Sequence, residues 1–142
     1  MSRQVSAEDV LRIQGRVERC ELDAPKSFLE TDCETISGNV NLCGTDDITG
    51  DLVPETIYFY YIGDCCVIHD WDYFDAEPSD EVKKVCDRRF RNNLVREMQL
   101  AIKSSKFYKF MRKAFRRRIK TYYKAVRSFG GPAFWDGKEQ DG

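Results

Sequence analysis

One histidine occurs in the chain, His69, and its neighbours are the residues best suited to chemistry. In Cys65-Cys66-Val67-Ile68-His69-Asp70-Trp71-Asp72-Tyr73, helical spacing puts His69 and Tyr73 one turn apart on one face, with Asp70 about 100° round. An imidazole and a carboxylate then leave the helix side by side with different aims. That pairing suits metal-assisted ester hydrolysis, in which a cation polarises the carbonyl while the imidazole takes a proton from the attacking water. A lone histidine is more often a surface or satisfied core residue. Asp87, in Val85-Cys86-Asp87-Arg88-Arg89-Phe90, changes the balance. If its helix packs antiparallel to the first, Asp87 can accept from one imidazole nitrogen, fix the tautomer and leave the other nitrogen as base. Asp87 paired with a neighbouring arginine is the plainer alternative.

The elements that must position these groups are readable from period and punctuation. Asp64 reads as the N-cap of a helix over 64–75, with a strand at 56–62 left open before it. Ser79, followed by Asp80 and Glu81, caps a second helix. Val82, Cys86, Phe90, Leu94, Met98 and Ile102 recur every four residues and carry it over 80–103. Ser6 and Asp9 start a helix lined by Val10, Leu11, Ile13 and Val17 up to about Cys20, with Gly15 counting against it. Residues 21–55, rich in Asp, Gly, Thr and Asn, read as irregular with a short strand or two. A third helical stretch, 105–128, interleaves Phe107, Tyr108, Phe110, Met111, Phe115, Tyr122 and Tyr123 with lysines and arginines. Gly130-Gly131-Pro132 ends it, and 132–142 is a docked or loose tail.

A chain of 142 residues is one domain's worth, with its core over 40–128. The fold class expected is mainly α. The net charge of −1 hides a polarity: 21 acids face 11 bases in residues 1–97, whereas 98–128 hold 11 bases and no acid. The basic end should prefer an anionic surface or the chain's own acidic half. Six cysteines suit up to three disulfides or remain thiols. No apolar run reaches the length of a membrane span, and the first residues do not read as a signal peptide. The expectation is synthesis in the cytoplasm, with any export by lysis, a dedicated secretion system or packaging in a viral particle.

Cys65-Cys66-x-x-His69-Asp70-x-x-Tyr73 followed by Cys86-Asp87-Arg88 resembles the paired signature of the secreted phospholipases A2, over about a third of the chain. The resemblance implies two antiparallel central helices, an irregular calcium-loop region before them and the basic helix after. It implies His69 as general base, Asp87 orienting it, Tyr73 supporting that pair and Asp70 binding Ca²⁺. Leu42-Cys43-Gly44-Thr45-Asp46-Asp47 is the candidate for the family's calcium loop. The carbonyls of Leu42, Gly44 and Asp46 are then the further ligands, and the Gly44 N–H approaches the oxyanion. Asp46 and Asp47 replace two loop glycines of the family, and the gap from Cys43 to Cys65 is longer. Of the family's disulfides, Cys43 to Cys66 has a match, whereas Asp72 and Asn93 stand where partners of Cys86 and Cys65 belong. His69-Asp70-Trp71-Asp72-Tyr73-Phe74-Asp75 also looks like the variant carried in some viral capsid proteins, and residues 121–132 resemble small phage and prophage proteins.

The implied activity is hydrolysis of a phospholipid ester at a membrane surface. On this reading 105–128 makes an interfacial contact, bases on lipid phosphates and rings at headgroup level. The plainer alternative turns the aromatics inward and leaves the bases as a solvated face. A basic stripe is also the footprint of nucleic-acid binding, but no recognised motif accompanies it. A zinc site from Cys43, Cys65, Cys66 and His69 and a non-catalytic interaction protein on the same helix pair are the other readings.

Overall fold

The computed structural model describes residues 4–41 and 53–138, and these are mainly helical. Helix α1 spans Ala7–Glu18 behind a reciprocal cap: Asp9 N–H donates to Ser6 Oγ at 3.0 Å and Ser6 N–H to Asp9 Oδ2 at 3.1 Å. The next segment differs from expectation. In place of strands it holds two short helices, α2 (Lys26–Glu30) and α3 (Cys33–Ser37), the second capped by Asp32. Phe28 and Ile36 supply the reason, each burying its side chain fully in the core. An isolated bridge joins Gln4 to Asn41.

Residues 56–61 form a two-residue hairpin, β1 (Thr56–Ile57) and β2 (Tyr60–Tyr61), antiparallel with Ile57 opposite Tyr60. Helix α4 (Gly63–Asp75) follows at once, with Ile62 rather than Asp64 at its N-cap. Tyr61 folds back so closely that a Cβ on Gly63 would lie 2.1 Å from its hydroxyl, so a side chain there would push the Tyr61 ring aside. Asp64 is drawn inward as an ion-pair partner. It receives Arg12 in a two-pronged contact at 2.7 and 2.8 Å and Arg16 at 2.8 Å, and Arg16 continues to Glu97 at 2.6 and 3.1 Å. Burial pushes Glu97 up while Arg16 pulls it down, and Arg16 itself is raised despite burial; the two-pronged geometry is that of an ionised pair.

Helix α5 (Asp80–Ser104), capped by Ser79, buries Cys86, Phe90, Leu94, Met98 and Ala101 along its apolar stripe. The start of α4 meets late α5 through Arg16, and its end meets early α5 through Tyr73 and Asp87, so the two run antiparallel. The expected third helix is two: α6 (Lys106–Phe110) and α7 (Arg112–Phe129), broken at Met111. The break lets α7 turn back along α5, where Phe115, Ile119, Tyr122 and Val126 are buried. Phe115 and Tyr122 therefore face inward, Phe129 at the end of the helix is exposed, and the bases other than Arg127 lie on the outer side. Beyond Gly130 the chain forms α8 (Gly131–Trp135), docked by a fully buried Phe134 against Tyr73 and Cys86. No helix of the described residues is long and apolar enough to cross a membrane.

Candidate functional site

The site lies where early α5, late α4 and the end of α7 meet. His69 Nε2 is 2.8 Å from Asp87 Oδ1, and Tyr73 donates its hydroxyl to the same oxygen. The other oxygen, Oδ2, accepts Lys83 Nζ at 2.8 Å and Arg127 at 2.7 Å. Lys83 also donates to the Val126 carbonyl at 3.0 Å, tying the base of α5 to α7. Asp87 is fully buried. Burial pushes its carboxyl up, but the bonds from His69, Lys83 and Tyr73 outweigh that and hold it down at about 2. Burial and the adjacent Asp87 push the Tyr73 phenol well up, so it stays protonated and donates.

An ionised carboxylate only accepts, so His69 must carry its proton on Nε2 when neutral. Nδ1 then presents a lone pair, and it makes no hydrogen bond among the described residues. Phe90 stacks on the ring with centroids 4.6 Å apart and Tyr73 tilts against it at 4.1 Å, fixing its plane. The side chain keeps 11 % of its surface exposed, enough for a water to reach it. Asp70 leaves α4 in another direction, and its Oδ2 accepts the backbone N–H of Asn41 at 2.7 Å. A cavity of about 300 Å³ opens beside Asp70 and Tyr73, bounded also by Asn41, Phe74, Pro132 and Lys138.

No family model, curated protein or solved structure matches the chain. The chemistry of the site therefore rests on its own geometry. His69, Tyr73 and Asp87 form one bonded cluster, and Asp70 lies against the residue that precedes Leu42. Leu42, Gly44 and Asp46, the other implied calcium groups, lie outside the described residues, as does Cys43. The one implied ligand in view is a carboxylate, and the full implied set is all oxygen, the donor class that Ca²⁺ takes. Among the described residues no three His, Cys, Asp or Glu side chains gather as a metal cluster, and Cys66 is disulfide-bonded, which removes its thiol from any zinc site.

Free thiols are found at Cys20, Cys33, Cys65 and Cys86. Burial raises Cys65 and Cys86, the latter also through Asp72, so both are inert thiols rather than nucleophiles. Asp72 and Asn93, which depart from the resembled disulfide pattern, make polar ties. Asp72 bonds Arg89, and Asn93 clasps the Asp23 backbone with two bonds of 2.8 Å. Sequence reasoning missed Lys83 and Arg127. Lys83 stands four residues before Asp87, a spacing that could have signalled the pair. Arg127, 40 residues away, has no local signal.

Proposed function

We propose that the chain is a phospholipase A2-like carboxylic ester hydrolase acting on phospholipid at a membrane surface, with Ca²⁺ as cofactor. The carrying observation is one contact, His69 Nε2 at 2.8 Å from a buried carboxylate, which makes Nδ1 the acceptor of the neutral ring. The antiparallel α4 and α5 and the basic α7 after them support such a reading. His69 Nδ1 takes a proton from water as the water oxygen bonds to the ester carbonyl carbon. Asp87 stabilises the imidazolium so formed, and Tyr73 with Lys83 and Arg127 keeps Asp87 in place. As the bond to the leaving alkoxide breaks, the proton passes from Nδ1 to that oxygen, giving a free fatty acid and a lysophospholipid. Asp70 with the carbonyls of Leu42, Gly44 and Asp46 would hold Ca²⁺, whose charge polarises the ester carbonyl when bound. The Gly44 N–H would stabilise the oxyanion.

A second reading keeps the helix pair without chemistry and puts the function on the basic helix, favoured by the acid-free run 98–128. One assay separates them: fatty-acid release from mixed phospholipid vesicles with Ca²⁺ or with chelator, wild type against His69→Gln. Release should need Ca²⁺ and fall by about a hundredfold or more in the variant. It should also decline on acidification, since a protonated imidazole cannot act as base. Equal release in all conditions removes the hydrolase.

A further inference from the structure

One end of the molecule differs in character from the rest. Helix α5 ends at Ser104, α6 turns the chain and α7 returns along α5, so α6 caps a helical hairpin. Lys106, Phe107, Lys109 and Phe110 all leave this short helix exposed, Phe110 at 86 % and Phe107 at 47 %. Tyr108 turns in, its ring 5.4 Å from Tyr60 and its hydroxyl donating to the Tyr58 carbonyl at 2.8 Å. That bond fastens the tip of the β1–β2 hairpin to the cap. At the tip, Tyr58 and Phe59 have φ of 48° and 72°. Consecutive left-handed residues are the mark of a type I′ turn, for which Asn-Gly is the unstrained choice. A phenylalanine there is strained, and at 91 % exposure it gains nothing from packing in return. The Arg118 guanidinium lies over the Tyr58 ring at 5.5 Å. Neither 56–63 nor 98–128 contains an acid, and Arg112, Lys113, Arg116, Arg117, Lys120 and Lys124 continue along the exposed side of α7.

We propose that this end is a docking surface for an anionic lipid bilayer, with Phe59, Phe107 and Phe110 entering the headgroup region and the bases of α6 and α7 meeting lipid phosphates. The strain at Phe59 is offset once its ring leaves water. The charge supplies the long-range attraction and the rings the anchorage. A single-stranded nucleic acid would answer to the same charge but needs rings spaced along the basic track for base stacking. Here the large apolar side chains of α7 are buried or sit on its flank except Phe129 at its far end, and Phe59, Phe107 and Phe110 are exposed at the cap rather than spaced along the basic track. Asp87 lies about 25 Å from the cap along the α5 axis. The rings at the cap are thus separate from the His69 cluster, and docking there does not depend on the hydrolytic reading. The basic side of α7 runs back from the cap to Arg127, so a bilayer lying along it passes close to that cluster.

The test is flotation of the full chain with vesicles of phosphatidylcholine alone or in equal parts with phosphatidylglycerol, in chelator so that lipid turnover plays no part. Binding should require the anionic lipid. Lys109→Gln with Lys113→Gln should weaken it about thirtyfold, and Phe59→Gly with Phe110→Ser about tenfold. Phe59→Gly alone should raise the thermal midpoint while lowering binding, a divergence that a merely structural residue would not give. The proposal is overturned if both vesicle types bind equally or neither binds. It is equally overturned if the phenylalanine variants bind as wild type, or if an oligonucleotide binds more tightly than anionic vesicles.

Discussion

Asp87→Asn removes the charge on which four donors converge while keeping the side chain's size. Near neutrality the variant leaves Lys83, which is buried, and Arg127 facing an amide, and its NH₂ must oppose one pair of donors. Stripping one partner from a buried charge cluster costs about 3–5 kcal/mol. Part of that cost depends on pH. The carboxyl is held at about 2 against its ordinary 3.8, a difference corresponding to about 2 kcal/mol. Because the folded value is the lower one, this stability is fully present above about pH 4 and is lost as pH falls through about 2. The measurement is urea unfolding of both proteins by tryptophan fluorescence, from neutrality down to about pH 2. Other carboxylates titrate in both and cancel. The gap should narrow by about 2 kcal/mol across the acid range. A gap that stays constant to about pH 2 would refute an ionised, charge-compensated Asp87, and with it the reason for placing the His69 proton on Nε2.

Three further outcomes follow from the same geometry. Gly130→Ala puts a Cβ 2.4 Å from the Val126 carbonyl and 2.6 Å from the Tyr73 hydroxyl. It should cost about 1–3 kcal/mol by overpacking and loosen Tyr73 from Asp87. Gly131→Ala, which meets nothing within 4 Å, is the control, and equal melting of the two variants would contradict this packing. Arg16→Met leaves buried Asp64 and Glu97 short of a counter-charge and should cost about 3–5 kcal/mol in chemical denaturation. Arg12→Met should cost less, because Arg12 is half exposed and Asp64 keeps Arg16. Phe134→Ala should destabilise by about 3–5 kcal/mol; a melting point unchanged by this substitution would mean that α8 is not docked on Tyr73.

Local periodicity carried much of the site. A 3.6-residue repeat determines that His69 and Tyr73 share a face and that Asp70 points elsewhere, whatever surrounds the helix. The four-residue apolar repeat behind Ser79 likewise marked out α5, and Ser6 with Asp9 marked the start of α1, because caps and stripes are properties of neighbouring residues. Period says which residues lie together on a helix but not what that face meets. Asp64 looked like a cap by position, yet two arginines from α1 hold it as a buried anion. Residues 26–37 looked irregular, yet burial of Phe28 and Ile36 makes two helical turns there, a gain that no local propensity contains. The run 105–128 looked continuous, and Met111 breaks it because α7 must fold back to bury its stripe on α5. Arg127 reaches Asp87, and Gly130 clears space for Tyr73, through the return of α7 alone. Charge compensation and close approach between segments far apart in the chain are set when helices pack, and only the tertiary structure could decide them.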